Sequence, residues 1–166
     1  MAEAPQPEPL DTPEEYGLTD LGENHWSLDD VYRRIHEARS WWVVSVRPDS
    51  RPHAAPVWGL ALKQRAIFSS GPEATKSRNL DANPGIVLHL ESGDEVVIVE
   101  GTVTRITHDQ LPDGYADRYN AKYDVELDFA DPAFRFFEVQ PTKIMAWDEG
   151  DFAATAARWR YNRDAS

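Results

Sequence analysis

Between Ser69 and Asn79 the chain carries the adjacent serines Ser69 and Ser70, a Gly-Pro turn, and then Lys76, Arg78 and Asn79 within four residues of one another. Hydroxyls at the end of a strand, free amides at the start of a helix and two nearby cations make an anion pocket, and a phosphate suits it. The bland alternative for Lys76 and Arg78 is a solvated helix face. Against it stands their position beside Ser-Ser-Gly-Pro in an otherwise acidic chain. Upstream, His53, Ala55, Pro56, Val57 and Trp58 form a second candidate group. Pro56 cannot donate a ladder hydrogen bond, so it marks an edge or bulge where the backbone amides of Val57 and Trp58 can address a ligand. Trp58 reads either as core or as a platform facing a ring; Trp41 and Trp42 read as core. His53 reads as a half-exposed structural histidine or a ligand contact.

Other chemistries find less support. The five histidines are scattered without an i, i+4 pair, so no metal site is expected. Ser69 and Ser70 lack a GxSxG elbow and an evident His-Asp pair, which argues against hydrolysis. With no cysteine there are neither disulfides nor thiolate nucleophiles, and the fold must stand on its core.

The elements that position these residues follow from pattern. A chain of 166 residues makes one domain. Glu3, Glu8, Asp11, Glu14, Glu15, Asp20 and Glu23 supply seven of the charges behind a net −12, with no Lys or Arg among them. Together with four prolines and few large apolar groups, this reads residues 1–22 as a disordered acidic tail and 23–166 as the folded domain. The acidic balance argues against nucleic acid, and neither a leader-like start nor an apolar run long enough to span a bilayer is present, so a cytoplasmic protein away from membranes is expected.

Ser27 and Asp30 have capping-box spacing before a helix with Leu28, Val31, Tyr32 and Ile35 on one face. Six strands follow, over 41–47, 52–63, 66–70, 85–91, 95–106 and 134–147, with helices over about 73–82 and 108–124. Gly101 predicts a bulge. Short hairpin links imply an antiparallel barrel, closed or nearly so. WWVV, VVIV and FRFF are apolar at successive positions, so both strand faces need cover from helices or a second copy of the chain.

Three stretches, RPHAAPVWG (51–59), IFSSGPEATKSRNLDANP (67–84) and HLESGDEVVIVEGTV (89–103), together with the closing ARWRY (157–161), resemble the pyridoxamine 5′-phosphate oxidase-like split β-barrels that bind flavin mononucleotide (FMN) or the deazaflavin coenzyme F420. The resemblance covers about 26–161 and implies a mainly β fold with flanking helices, a six-stranded antiparallel split barrel of the FMN-binding type. It implies a homodimer with cofactor sites at the interface. Ala55, Pro56, Val57 and Trp58 would lie along the ring, and Ser69, Ser70, Lys76, Arg78 and Asn79 would hold phosphate. The terminal element, with Trp159 and Arg160, resembles that of the actinobacterial branch and would wall the site; Arg158, Arg160 and Arg163 are candidates to meet an anionic cofactor tail. No C-terminal arginine and histidine motif of the oxidases proper is found, which argues against pyridoxine metabolism. The implied activity is an F420- or FMN-dependent oxidoreductase acting on an electron-poor small molecule, with cofactor or hydrophobic-ligand binding without turnover as the alternative. The absence of a catalytic triad fits hydride chemistry, which needs no protein nucleophile.

Overall fold

The structure, a computed structural model, describes residues 4–161. Its first helix, α1 (Leu28–Glu37), begins where the sequence predicts. The Asp30 amide donates to Ser27 Oγ at 3.1 Å, the Ser27 amide donates to an Asp30 carboxylate oxygen at 3.1 Å, and Val31, Tyr32 and Ile35 are buried. Burial follows from their spacing on one face.

Nine strands share one antiparallel sheet: β1 (Pro7–Glu8), β2 (Trp41–Val46), β3 (Pro52–Val57), β4 (Gly59–Leu62), β5 (Arg65–Ser70), β6 (Gly85–His89), β7 (Glu95–Ile106), β8 (Arg135–Asp148) and β9 (Ala157–Arg160). Their order is β1-β9-β8-β7-β6-β2-β3, with β5 also pairing β8 and β4 pairing β5. The fold is thus a split-barrel sheet, but its strands number nine rather than six and the sheet is not closed. β8 explains the split: it pairs β7 along its length, β5 at its start and β9 at its end.

The expected strand over 52–63 divides at Trp58. Gly59 allows this, since a Cβ there would meet the Trp41 ring and the Ile67 carbonyl. Its amide donates to the Tyr123 hydroxyl, which donates in turn to the Gly59 carbonyl, each at 2.9 Å. The bulge at Gly101 is present, as a register shift between Glu100 and Gly101 opposite Pro141. The helix expected over 108–124 is shorter: α3 (Tyr115–Tyr123) starts after Pro112, with Gly114 in the left-handed region at φ 73°.

Residues 1–22 read from composition as a disordered tail; of these, the described residues 4–22 touch β9 at one point and the main core at another. Pro7 and Glu8 pair with Trp159 and Arg158, Leu10 is buried, and Leu21 packs against the main core.

Two clusters of side chains fill the molecule. The main one lies under α1 and includes Trp41, Val43, Phe68, Phe137 and Trp159; the second joins Leu60, Ile67 and Phe136 to Tyr115, Tyr119 and Tyr123 of α3. Phe136 and Phe137 are therefore both buried, one in each cluster, which accounts for the two successive aromatic residues that close FRFF. The other side of β2 has no such cover: Trp42 and Val44 are half-buried and Val46 is exposed. No helix among the described residues is long and apolar enough to cross a membrane.

Candidate functional site

The end of β5, the turn Gly71–Ala74 and α2 (Thr75–Ala82) bring most of the phosphate candidates together. Ala74 occupies the N-cap position and offers no side-chain oxygen, so the first-turn amides of α2 have no capping partner from it. Ser70 and Ser77 are buried on either side of this turn, and neither hydroxyl has a hydrogen-bond partner. A buried polar atom left unpaired is uncommon in a native fold and is costly unless a ligand completes it. Ser69 and Lys76 are half-buried; Arg78 is exposed and reaches Glu73 at 3.8 Å. Donors and cations thus outnumber acceptors here, which suits a phosphate group.

Ser77 escapes a reading by sequence. Its neighbours carry the evident charges, and only its placement on the buried side of α2 distinguishes it. Asn79, by contrast, is corrected from ligand contact to support: it is 3% exposed and its Nδ2 donates to Ser45 Oγ on β2 at 3.0 Å, tying α2 to the sheet.

The pleat divides the β3 candidates. His53 and Ala55 pair with Ser45 and Val43, the inward residues of β2, whereas Pro56 pairs with Trp42 on the outer face. Val57 is buried, so only its backbone is available. His53 accepts from Arg47 Nη2 at 3.3 Å, and its pKa lies below the ordinary histidine value because of burial, with Arg47 and Lys76 adding positive charge. Lys76 therefore lies within electrostatic reach of His53.

Trp58 is 38% exposed. Its ring stacks on Tyr123 with centroids 4.4 Å apart and planes within 3°, and the Arg39 guanidinium lies 5.8 Å from its centre. Lys122, next on α3, donates to the carbonyls of His36 and Gly59 at 2.7 and 3.2 Å, and burial pulls its pKa down to about 8. The Trp58 ring is thus held from behind by α3 with part of its surface in solvent.

The terminal element is not brought to this place in the same chain. Trp159 is 2% exposed and belongs to the main core, so its side chain supports the sheet and cannot touch a ligand. Arg160 projects on the opposite side of β9 and pairs with Glu8 and Asp11. Arg163 lies outside the described residues.

The pyridoxamine 5′-phosphate oxidase family has a sequence model that matches residues 28–148. Comparison with curated proteins returns no match. Among solved structures, the chain is similar to a conserved hypothetical protein from Mycobacterium tuberculosis, with TM-score 0.62 and 17% identity over 76% of this chain and 87% of that one. It is similar to an F420 reductase, with TM-score 0.53 and 24% identity over 68% and 94% of the two chains. A pyridoxamine 5′-phosphate oxidase-related, FMN-binding protein from Nostoc punctiforme PCC 73102 gives TM-score 0.54 and 16% identity over 82% and 87%. At these identities the likeness establishes the fold.

Proposed function

This chain belongs to the pyridoxamine 5′-phosphate oxidase family, and on that premise we propose that it is an oxidoreductase binding coenzyme F420, or else FMN, between two copies of the chain and passing hydride to an electron-poor small molecule such as an enone, quinone or tetrapyrrole. The observation that carries the reading is the buried, unpartnered hydroxyl of Ser70 at the uncapped start of α2. A reduced flavin or deazaflavin ring supplies the hydride when bound. The protein binds and orients: Ser70 and the α2 amides hydrogen-bond phosphate, Lys76 and Arg78 neutralise it, and His53, Ala55 and the Val57–Trp58 backbone border the ring, while Ser69, on the opposite face of β5, turns toward Tyr119 of α3. Trp58, braced by Tyr123, forms a wall that excludes water.

The half-buried and exposed apolar side chains on the outer face of β2 and β3, Trp42, Val44, Val46, Ala54 and Pro56, support the homodimer. A fold shared with an F420 reductase and with an FMN-binding protein is in keeping with either cofactor.

Titration by tryptophan quenching with each cofactor tests the reading. Lys76→Ala is expected to weaken the preferred cofactor at least tenfold, since a charge-assisted contact is worth about 1.5–3 kcal/mol. Unchanged affinity removes the phosphate assignment. Tight binding without reduction of any acceptor by the reduced complex would instead leave a binding protein without turnover.

A further inference from the structure

Among the described residues β4 pairs only with β5, so Gly59, its first residue, has no strand on its other side to answer its amide and carbonyl. α3 answers both. The Tyr123 hydroxyl accepts from the Gly59 amide and donates to the Gly59 carbonyl, each at 2.9 Å, as a paired residue of a neighbouring strand would. Lys122 Nζ donates to the same carbonyl at 3.2 Å and to the His36 carbonyl, in the last turn of α1, at 2.7 Å. Two successive side chains of one helix thus tie the backbone that follows Trp58 to the end of α1.

The hold extends to the Trp58 side chain, whose ring lies flat on that of Tyr123. α3 is itself anchored. Tyr115, Tyr119 and Tyr123 recur every four residues along one face, all three are buried, and the Tyr115 hydroxyl donates to the Ile67 carbonyl at 2.9 Å. A fixed helix therefore presents Lys122 and Tyr123 to the exposed indole. The two differ in how they keep their protons. Burial raises the Tyr123 pKa to about 12, and burial lowers that of Lys122 to about 8. The charged or titratable groups around Lys122 are His36 on α1, Arg39 on the link after it, and Arg118, Tyr119, Tyr123 and Asp124 on or beside α3; β4 carries none.

We propose that Lys122 and Tyr123 are positioning residues for the cofactor site: Tyr123 fixes the backbone and ring of Trp58, and the charge on Lys122 decides how firmly. This rests on the reading that Val57 and Trp58 border the cofactor ring. Charge-assisted hydrogen bonds are roughly twice as strong as neutral ones. Loss of the ammonium proton relieves the burial of charge and at the same time weakens the ties to both carbonyls. The Trp58 wall is then firmly set at neutral pH and loosely set in alkali. Neither residue lies at the phosphate end, so the control acts on the ring end alone.

Fluorine NMR of the cofactor-free full chain labelled with 5-fluorotryptophan tests this, the Trp58 signal being assigned by its loss in Trp58→Phe. Between pH 7 and 9 that signal is expected to move, with a midpoint near pH 8. Lys122→Met should abolish the movement, and Lys122→Arg, which stays charged, should hold the neutral-pH position throughout. Tyr123→Phe keeps the stack and loses both Gly59 bonds, and it should shift and broaden the signal at either pH. A Trp58 signal that stays still in the unmodified protein, or moves equally in Lys122→Met, overturns the proposal. Affinity for the preferred cofactor should fall at least threefold from pH 7 to 9, measured against Lys122→Arg to cancel titration of the cofactor itself. Equal falls in both proteins overturn the link to the site. The two readings fail differently. Binding of neither cofactor sinks the proposed oxidoreductase, whereas a cofactor that binds beside a Trp58 signal blind to Lys122 sinks the positioning role alone.

Discussion

The two polar regions of this molecule are opposites. At the start of α2, Ser70 and Ser77 are buried donors without acceptors, the helix lacks a cap, and Lys76 and Arg78 face little negative charge. At the end of β9, Arg158 and Arg160 already hold Glu8 and Asp11 from their own chain. Leaving a buried donor unmet costs folding energy, so an incoming anion at the first region would meet groups that the fold leaves unanswered. The second is complete as it stands, and any outside anion must compete. The difference shows why cation content alone is a poor guide to a binding site: what matters is which cations and amides the fold has left unanswered.

The largest expected effect comes from making the first region resemble the second. Ala74→Asp places a carboxylate at the N-cap of α2, where it accepts from the first-turn amides. Thermal stability should rise, by about 1 kcal/mol. Affinity for FMN or F420 should fall at least thirtyfold, about 2 kcal/mol, because the amides are taken and the new charge repels phosphate. Paired thermal melts and titrations read both signs; a stability gain with unchanged affinity would separate the cofactor from this helix start. Ser70→Ala acts more gently. Removing a buried hydroxyl that has no partner should leave stability equal or slightly higher, while cofactor affinity falls about fivefold, near 1 kcal/mol. A loss of stability instead would mean the hydroxyl is already satisfied.

Much of the first region is legible in the sequence, because strand, turn and helix follow one another within the eighteen residues Arg65–Ala82 and local signals govern them. The capping box of Ser27 and Asp30 and the bulge at Gly101 are legible for the same reason. What escapes is non-local. β1 spans two residues and β9 four, too short for a periodic pattern, and each exists through its partners. Composition gives residues 1–22 too little apolar surface to fold alone, yet Leu10 gains burial from a surface made by β8 and β9. The break at Trp58 depends on Tyr123, 65 positions later in the chain. The resemblance of the terminal element places Trp159 at a ligand, but alternation sends its side chain to the core face. Ser77 differs from an ordinary helix serine only through what buries it.

If the second region is held as weakly as its exposed carboxylates imply, breaking it should scarcely matter to the fold. Glu8→Gln/Asp11→Asn should change stability by less than about 1 kcal/mol and leave cofactor affinity unaltered. A larger destabilisation, read by urea unfolding, would make the N-terminal segment a structural member and blunt the contrast between the two regions.

The smallest expected effect sharpens the first region through pH. His53 has a lowered pKa because of burial first, then Arg47 and Lys76, so it is neutral in the fold under conditions that protonate it in the unfolded chain. Below the unfolded value of about 6.5 the unfolded state therefore binds more protons, and the contribution of His53 to stability is lost as pH falls through that range. A bound phosphate reverses the local field. Its negative charge beside Lys76 raises the His53 pKa, so binding takes up a proton and is favoured as pH falls. A phosphate monoester such as that of FMN itself gains a proton near pH 6 and pulls the other way, which His53→Gln subtracts. The ratio of the dissociation constant of His53→Gln to that of the unmodified protein should rise about two- to threefold between pH 7.5 and 5.5. A ratio that stays flat would place His53 beyond the reach of the phosphate and leave Lys76 to answer it from α2 alone.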